Sequence, residues 1–165
     1  MAVNFGKRVH EALNKQICDD FEIAYLYISM SSILKNMGLG GCARWVTNQS
    51  QKKYKRALKI FEHMQDRNSK VKLNPIAAPK QEWRAPLHIF EEMQRREQRI
   101  SASLDAIYEI TQAEKDYQSQ CFLAWFINEQ TEVEAMVTNL QDRLRKMQTT
   151  DLGVILFDME LSQKE

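Results

Sequence analysis

Four long stretches of this chain carry apolar or small residues at spacings of three and four, the period of one helix face, and each row is broken by one ionisable residue. In the first, Leu13, Ile17, Ala24, Tyr27 and Leu34 leave a gap at Asp20; in the second, Ala43, Val46, Ser50, Ala57, Ile60 and Met64 leave it at Lys53. The third runs Phe90, Met93, Ile100, Leu104 and Ile107 around Glu97, and the fourth Phe122, Phe126, Val133, Met136, Leu140 and Leu144 around Glu129. A helix of this length must bury its apolar face against others. Four such rows predict an all-α four-helix bundle, and the four interruptions predict a polar layer inside it, where ligand and metal sites of bundles are built.

Glycine and proline divide the rows. "NMGLGG" breaks the chain after the first, and all three prolines fall in "NPIAAPKQEWRAP" before the third. The expected helices cover residues 7–35, 41–68, 86–111 and 116–147 of a single domain, 1–165. Short links make the first and second helices, and the third and fourth, antiparallel neighbours. The link between the second and third is long enough to cross the length of the bundle, and "KVKL" within it could be extended. A short fifth helix over 151–162 carries Leu152, Val154, Ile155, Leu156, Phe157, Met159 and Leu161 around most of its circumference. Four helices offer it no obvious burial site, so it predicts an oligomer interface, with folding back on its own bundle as the other possibility.

Composition narrows the function classes. A net charge of +1, from 23 basic and 22 acidic residues, supplies no field to recruit nucleic acid or an anionic membrane. Three scattered cysteines, Cys18, Cys42 and Cys121, form no metal or redox motif and fit a reducing compartment. "MAVNFGKRVHEALNK" has no apolar targeting core, and the expected location is the cytoplasm.

The segments "LNKQICDDFEIAYLYISMS", "REQRI", "FLAWFINEQTEVE" and "GVILFDMELS", in this order and spacing, resemble a bacterial non-haem ferritin over residues 10–162. The resemblance implies a ferritin-like bundle with a long crossover and a short C-terminal helix. It also implies a hollow homo-oligomeric shell of twenty-four subunits and iron stored inside as ferric mineral. Such ferritins usually oxidise iron(II) at a di-iron centre in each bundle. That centre uses a glutamate from the first helix, Glu-x-x-His from the second, a glutamate from the third, and a glutamine and a carboxylate from the fourth.

Carried over position by position, the resemblance places Asp20 at the first ligand, Lys53 and Arg56 at the Glu-x-x-His pair, Glu97 on the third helix, and Gln130 and Val133 on the fourth. An ammonium or guanidinium offers a metal no lone pair, and Val133 removes another ligand. The expectation is a degenerate centre, in which a buried ion-pair cluster of Asp20, Lys53, Arg56 and Glu97 stands in for iron. The other reading has Lys53 and Arg56 snorkelling outward beside Lys52, Lys55 and Lys59 on a solvated face.

Tyr27 is similar to the tyrosine beside the centre in catalytic members, and also fits as plain core. Glu129 and Glu132 are a possible weak metal site or a surface pair. His10, His63 and His88 are expected at the surface, no haem ligand is expected, and Glu114 and Asp116 are candidate pore acids. The leading expectation is a cage subunit that is not itself an enzyme, co-assembling with catalytic subunits or storing iron delivered otherwise. The alternatives are an active ferroxidase with rearranged ligands (Asp20, Glu97, Glu129, Gln130 and Glu132) and a cage or helical adaptor with no iron role.

Overall fold

Local backbone chemistry sets the helix ends in the computed structural model, which describes residues 5–165; Met1–Asn4, part of the stretch read above for targeting, lie outside it. The helices are α1 (Lys7–Asn36), α2 (Gly40–Asp66), α3 (Pro86–Ala113), α4 (Tyr117–Met147) and α5 (Asp151–Leu161). Three of them end alike: Gly38, Asn68 and Lys115 adopt φ of +80°, +54° and +54°. The next residue's N–H then reaches back five positions, from Leu39 to Leu34, Ser69 to Met64 and Asp116 to Thr111. This closure satisfies the last carbonyls of a helix. Pro86 opens α3, while Asp116 and Thr150 accept from Ser119 N and Gly153 N to cap α4 and α5.

The crossover (residues 67–85) runs alongside α1. His10 Nε2 bonds Lys70 O at 2.8 Å, Asn14 Oδ1 accepts from Lys72 N at 2.8 Å, and Ser29 Oγ donates to Lys80 O at 2.6 Å. From Lys70 to Lys80 the strap thus climbs from residue 10 to residue 29 of α1, and α3 starts at the opposite end from where α2 stops. No strand occurs among the described residues, and "KVKL" lies in this strap without pairing. α1 packs on α2 and α3 on α4, and the rows of apolar residues meet inside, with Leu13, Ile17, Tyr27, Val46, Ile60, Phe90, Met93, Leu104, Phe126, Leu140 and Leu144 buried.

α5 corrects the expectation that a monomer offers it no seat. Phe157 and Leu161 are buried, Phe157 meeting the Phe90 ring edge-on at 5.4 Å, while Leu152, Ile155, Leu156 and Met159 stay about half exposed. Asp158 holds the helix down, its Oδ1 accepting from Cys42 N at 2.7 Å at the start of α2. An apolar circumference says that burial is needed but not on which side, so docking and an outward apolar face coexist. At Gly41 a Cβ would lie 2.1 Å from the Asp158 carbonyl oxygen. Gly41→Ala therefore pries α5 off, at a cost of about 1–3 kcal/mol. Limited proteolysis checks it: cleavage between α4 and α5 should speed up while the four-helix core persists.

Candidate functional site

Three of the four interruptions, Asp20, Lys53 and Glu97, converge in the middle of the bundle, whereas on α4 the inward polar position is Gln130 and not Glu129, which is half-buried. Asp20, Lys53, Arg56, Glu97 and Gln130 are each at most 3% exposed, so Lys53 and Arg56 point inward and do not snorkel. Lys53 Nζ lies 2.6 Å from Glu97 Oε2. Gln130 Nε2 donates to the same oxygen at 2.8 Å, and the Tyr27 hydroxyl donates to Oε1 at 2.5 Å. A group receiving three donors on its two oxygens is a full carboxylate. Gln130 also turns its Oε1 to Arg56 Nη1 at 2.6 Å, which fixes the amide's orientation, and the guanidinium lies 5.5 Å from the Phe126 ring centre.

Burial and pairing compete on each charge. Burial alone would raise Glu97, but Lys53, then Tyr27 and Gln130, hold its carboxyl below the usual glutamate value. Burial pulls Lys53 down against the opposing pull of Glu97. Asp20 goes the other way, since burial pushes it up to about 6 against the weaker effects of Arg56, Lys53 and Gln16. Tyr27 is pushed well up by burial and by Glu97, so it serves as a hydroxyl donor.

The expected four-membered ion-pair cluster is thus corrected in its wiring. Lys53 and Glu97 form the one direct ion pair within it, Arg56 bonds Gln130, and Asp20 Oδ1 accepts from Gln16 Nε2 at 3.0 Å. Asp20, one methylene shorter than the glutamate of the pattern, does not reach Arg56. Gln16, itself bonded by Ser103 Oγ at 2.7 Å, is a member that stands in none of the apolar rows. Its position four residues before Asp20, on the same helix face, was the available signal.

The remaining candidates lie apart from the network. Val133 packs half-buried against the core, Glu132 is exposed, and Glu129 is half-buried with its Oε2 unbonded. Among the described residues no group of three or more His, Cys, Asp and Glu side chains could hold a metal ion. Lys52, Lys55 and Lys59 are exposed, Lys59 lying 3.5 Å above the Trp125 ring.

His63 is not the surface residue expected. It stacks on Phe122 at 3.9 Å, half-buried, and burial lowers its pKa. Asp116, a candidate pore acid, is paired within the subunit, Arg67 Nη1 bonding both of its oxygens at 2.8 Å. For a divalent cation at the bundle centre, every carboxylate oxygen of Glu97 and the amide oxygen of Gln130 already faces a protein donor.

Comparison with known proteins places this geometry. The ferritin-like domain family matches residues 10–147. The bacterial non-heme ferritin of Bacteroides fragilis (strain 638R) is 31% identical over 159 residues, covering 96% of this chain and 99% of its own length. That of Staphylococcus haemolyticus (strain JCSC1435) is 28% identical, with 96% of each covered. Among solved structures, a novel open pore ferritin from the hyperthermophilic archaeon Archaeoglobus fulgidus superposes with a TM-score of 0.96 at 33% identity, over 100% of both chains. No helix among the described residues is long and apolar enough to cross a membrane.

These relatives overturn one expectation, that the chain is not an enzyme. It was drawn from Lys53, Arg56 and Val133 alone, whereas the likeness runs end to end with proteins named as bacterial non-heme ferritins and with a solved ferritin. Three altered positions describe the bundle centre alone and give no ground for setting the chain apart from these relatives. By its matched domain, its full-length relatives and its superposed fold, this chain belongs to the ferritin family.

Proposed function

We propose that this chain is one ferritin-like domain that builds an iron-storage cage, and that a closed polar network occupies its bundle centre in place of a di-iron site. The observation carrying this is Lys53 Nζ at 2.6 Å from Glu97 Oε2. A fixed ammonium at that spot gives Glu97 the positive partner that iron would supply, and it repels further cations. Iron is the cargo, held as ferric mineral, and no haem is involved. The exposed Leu152, Ile155, Leu156 and Met159 of α5 support assembly with further copies or with other ferritin subunits; the shell of this reading has 24 subunits and lies in the cytoplasm.

On this reading any iron(II) oxidation by the chain proceeds without a tight di-iron site at the bundle centre. A second reading, oxidation at a rearranged set of Asp20, Glu97, Glu129, Gln130 and Glu132, is favoured by the buried, unbonded Oε2 of Glu129.

Anaerobic iron(II) titration of the metal-free protein, followed by oxygen exposure with absorbance and iron analysis of the sized fractions, tests both. The closed network predicts no stoichiometric tight binding before oxygen, with mineral in the assembled fraction afterwards. Lys53→Glu combined with Arg56→His returns two ligands and should raise tight binding to about one or two ions per subunit. Tight binding of about two ions by the unaltered chain would overturn the closed network and support the rearranged set.

A further inference from the structure

Three buried polar atoms of the central network meet no protein partner: Asp20 Oδ2, Arg56 Nε and Arg56 Nη2. The rest of each group is anchored, Asp20 Oδ1 by Gln16 Nε2 and Arg56 Nη1 by Gln130 Oε1. The two side chains are 0% and 3% exposed, so bulk water does not serve these atoms. They lie in the same part of the core, on the packed faces of α1 and α2, where Ser50 Oγ donates to Ala24 O at 2.6 Å one turn from Asp20 and within two turns of Arg56. Yet neither a hydrogen bond nor an ion pair joins them, and orphaned groups of this kind are costly in a protein interior.

The chemistry of the three atoms selects the occupant. Two are donors on one edge of a guanidinium, and one is a carboxylate acceptor. An anion could accept from Arg56 but has nothing to donate to Asp20, whose charge would repel it. A cation could meet Asp20 but not the guanidinium edge. A neutral molecule that both accepts and donates satisfies all three, and close packing limits it to the size of water.

We infer that one buried water bridges Asp20 and Arg56, accepting from Nε and Nη2 of the arginine and donating to Oδ2 of the aspartate. The network then runs unbroken from Ser103, at the rim of the crevice between α1 and α3, through Gln16, Asp20, the water, Arg56 and Gln130 to Glu97, Lys53 and Tyr27. This rests on the closed bundle centre proposed above, and one experiment separates the two.

The test is a high-resolution crystal structure of the metal-free protein, repeated after an anaerobic iron(II) soak with anomalous data at the iron edge. The expected result is one light peak about 2.7–3.2 Å from all three atoms, without anomalous signal in either crystal. Direct contact of Asp20 Oδ2 with the Arg56 guanidinium, or a chloride-like peak with long-wavelength anomalous signal, overturns the water bridge and leaves the closed centre standing. An iron peak ligated by Asp20 or Glu97 overturns both.

Discussion

Replacing Lys53 with methionine lowers stability by about 3–5 kcal/mol at neutral pH, as read by urea denaturation. The two side chains have similar length, so little packing is lost. What is lost is the one ion pair to Glu97 among the described residues; this carboxylate is 1% exposed and keeps the neutral donors Tyr27 and Gln130. A buried charge without its partner carries its full desolvation cost. The pH dependence identifies the cause. Lys53 is the first of the groups holding Glu97 below its ordinary value of 4.5, so in the variant that carboxyl rises above it. The folded variant then takes up a proton before its unfolded chain does, and the deficit shrinks as the pH falls toward 4.5. Adding Glu97→Gln should recover most of the loss at neutral pH. A Lys53→Met variant as stable as the parent would mean that the ion pair contributes nothing.

The bundle and the inward turn of Lys53 were legible because both follow from periodicity. A residue in register with Val46, Ile60 and Met64 faces where they face, whatever its charge, if a partner waits inside. Glu97 was legible as that partner for the same reason. The wiring was not, because it depends on side-chain reach across helices: Asp20 stops short of Arg56 and turns to Gln16, a residue in no apolar row. Gln130 was placed by resemblance, and its role in joining Arg56 to Glu97 needs the amide's orientation, which no sequence carries. His63 was misjudged because its partner Phe122 comes from another helix, and α5 because an all-round apolar helix does not reveal its docked side. Activity was misjudged for a different reason. Three altered ligand positions describe one location, whereas the full-length relatives describe the whole chain.

Asp20→Asn should do the opposite of Lys53→Met, although both remove a buried charge. Burial raises the Asp20 carboxyl to about 6 from an ordinary value of 3.8, ahead of the lowering by Arg56, Lys53 and Gln16. Between those values the unfolded chain has released its proton and the folded chain still holds it. Stability therefore falls as the pH climbs through this window and stays low above it. The shift of about two units corresponds to roughly 3 kcal/mol, an upper bound because a water donating to Oδ2 would ease the cost of ionisation. Asparagine keeps the shape and the acceptor for Gln16 Nε2 but never ionises. The variant should match the parent near pH 4 and exceed it by up to about 3 kcal/mol at pH 7, measured by urea denaturation across that range. A variant weaker than the parent at pH 7 would show that attraction from Arg56 and Lys53 outweighs burial. The aspartate would then be a stabilising member of the network, not a charge that the network tolerates.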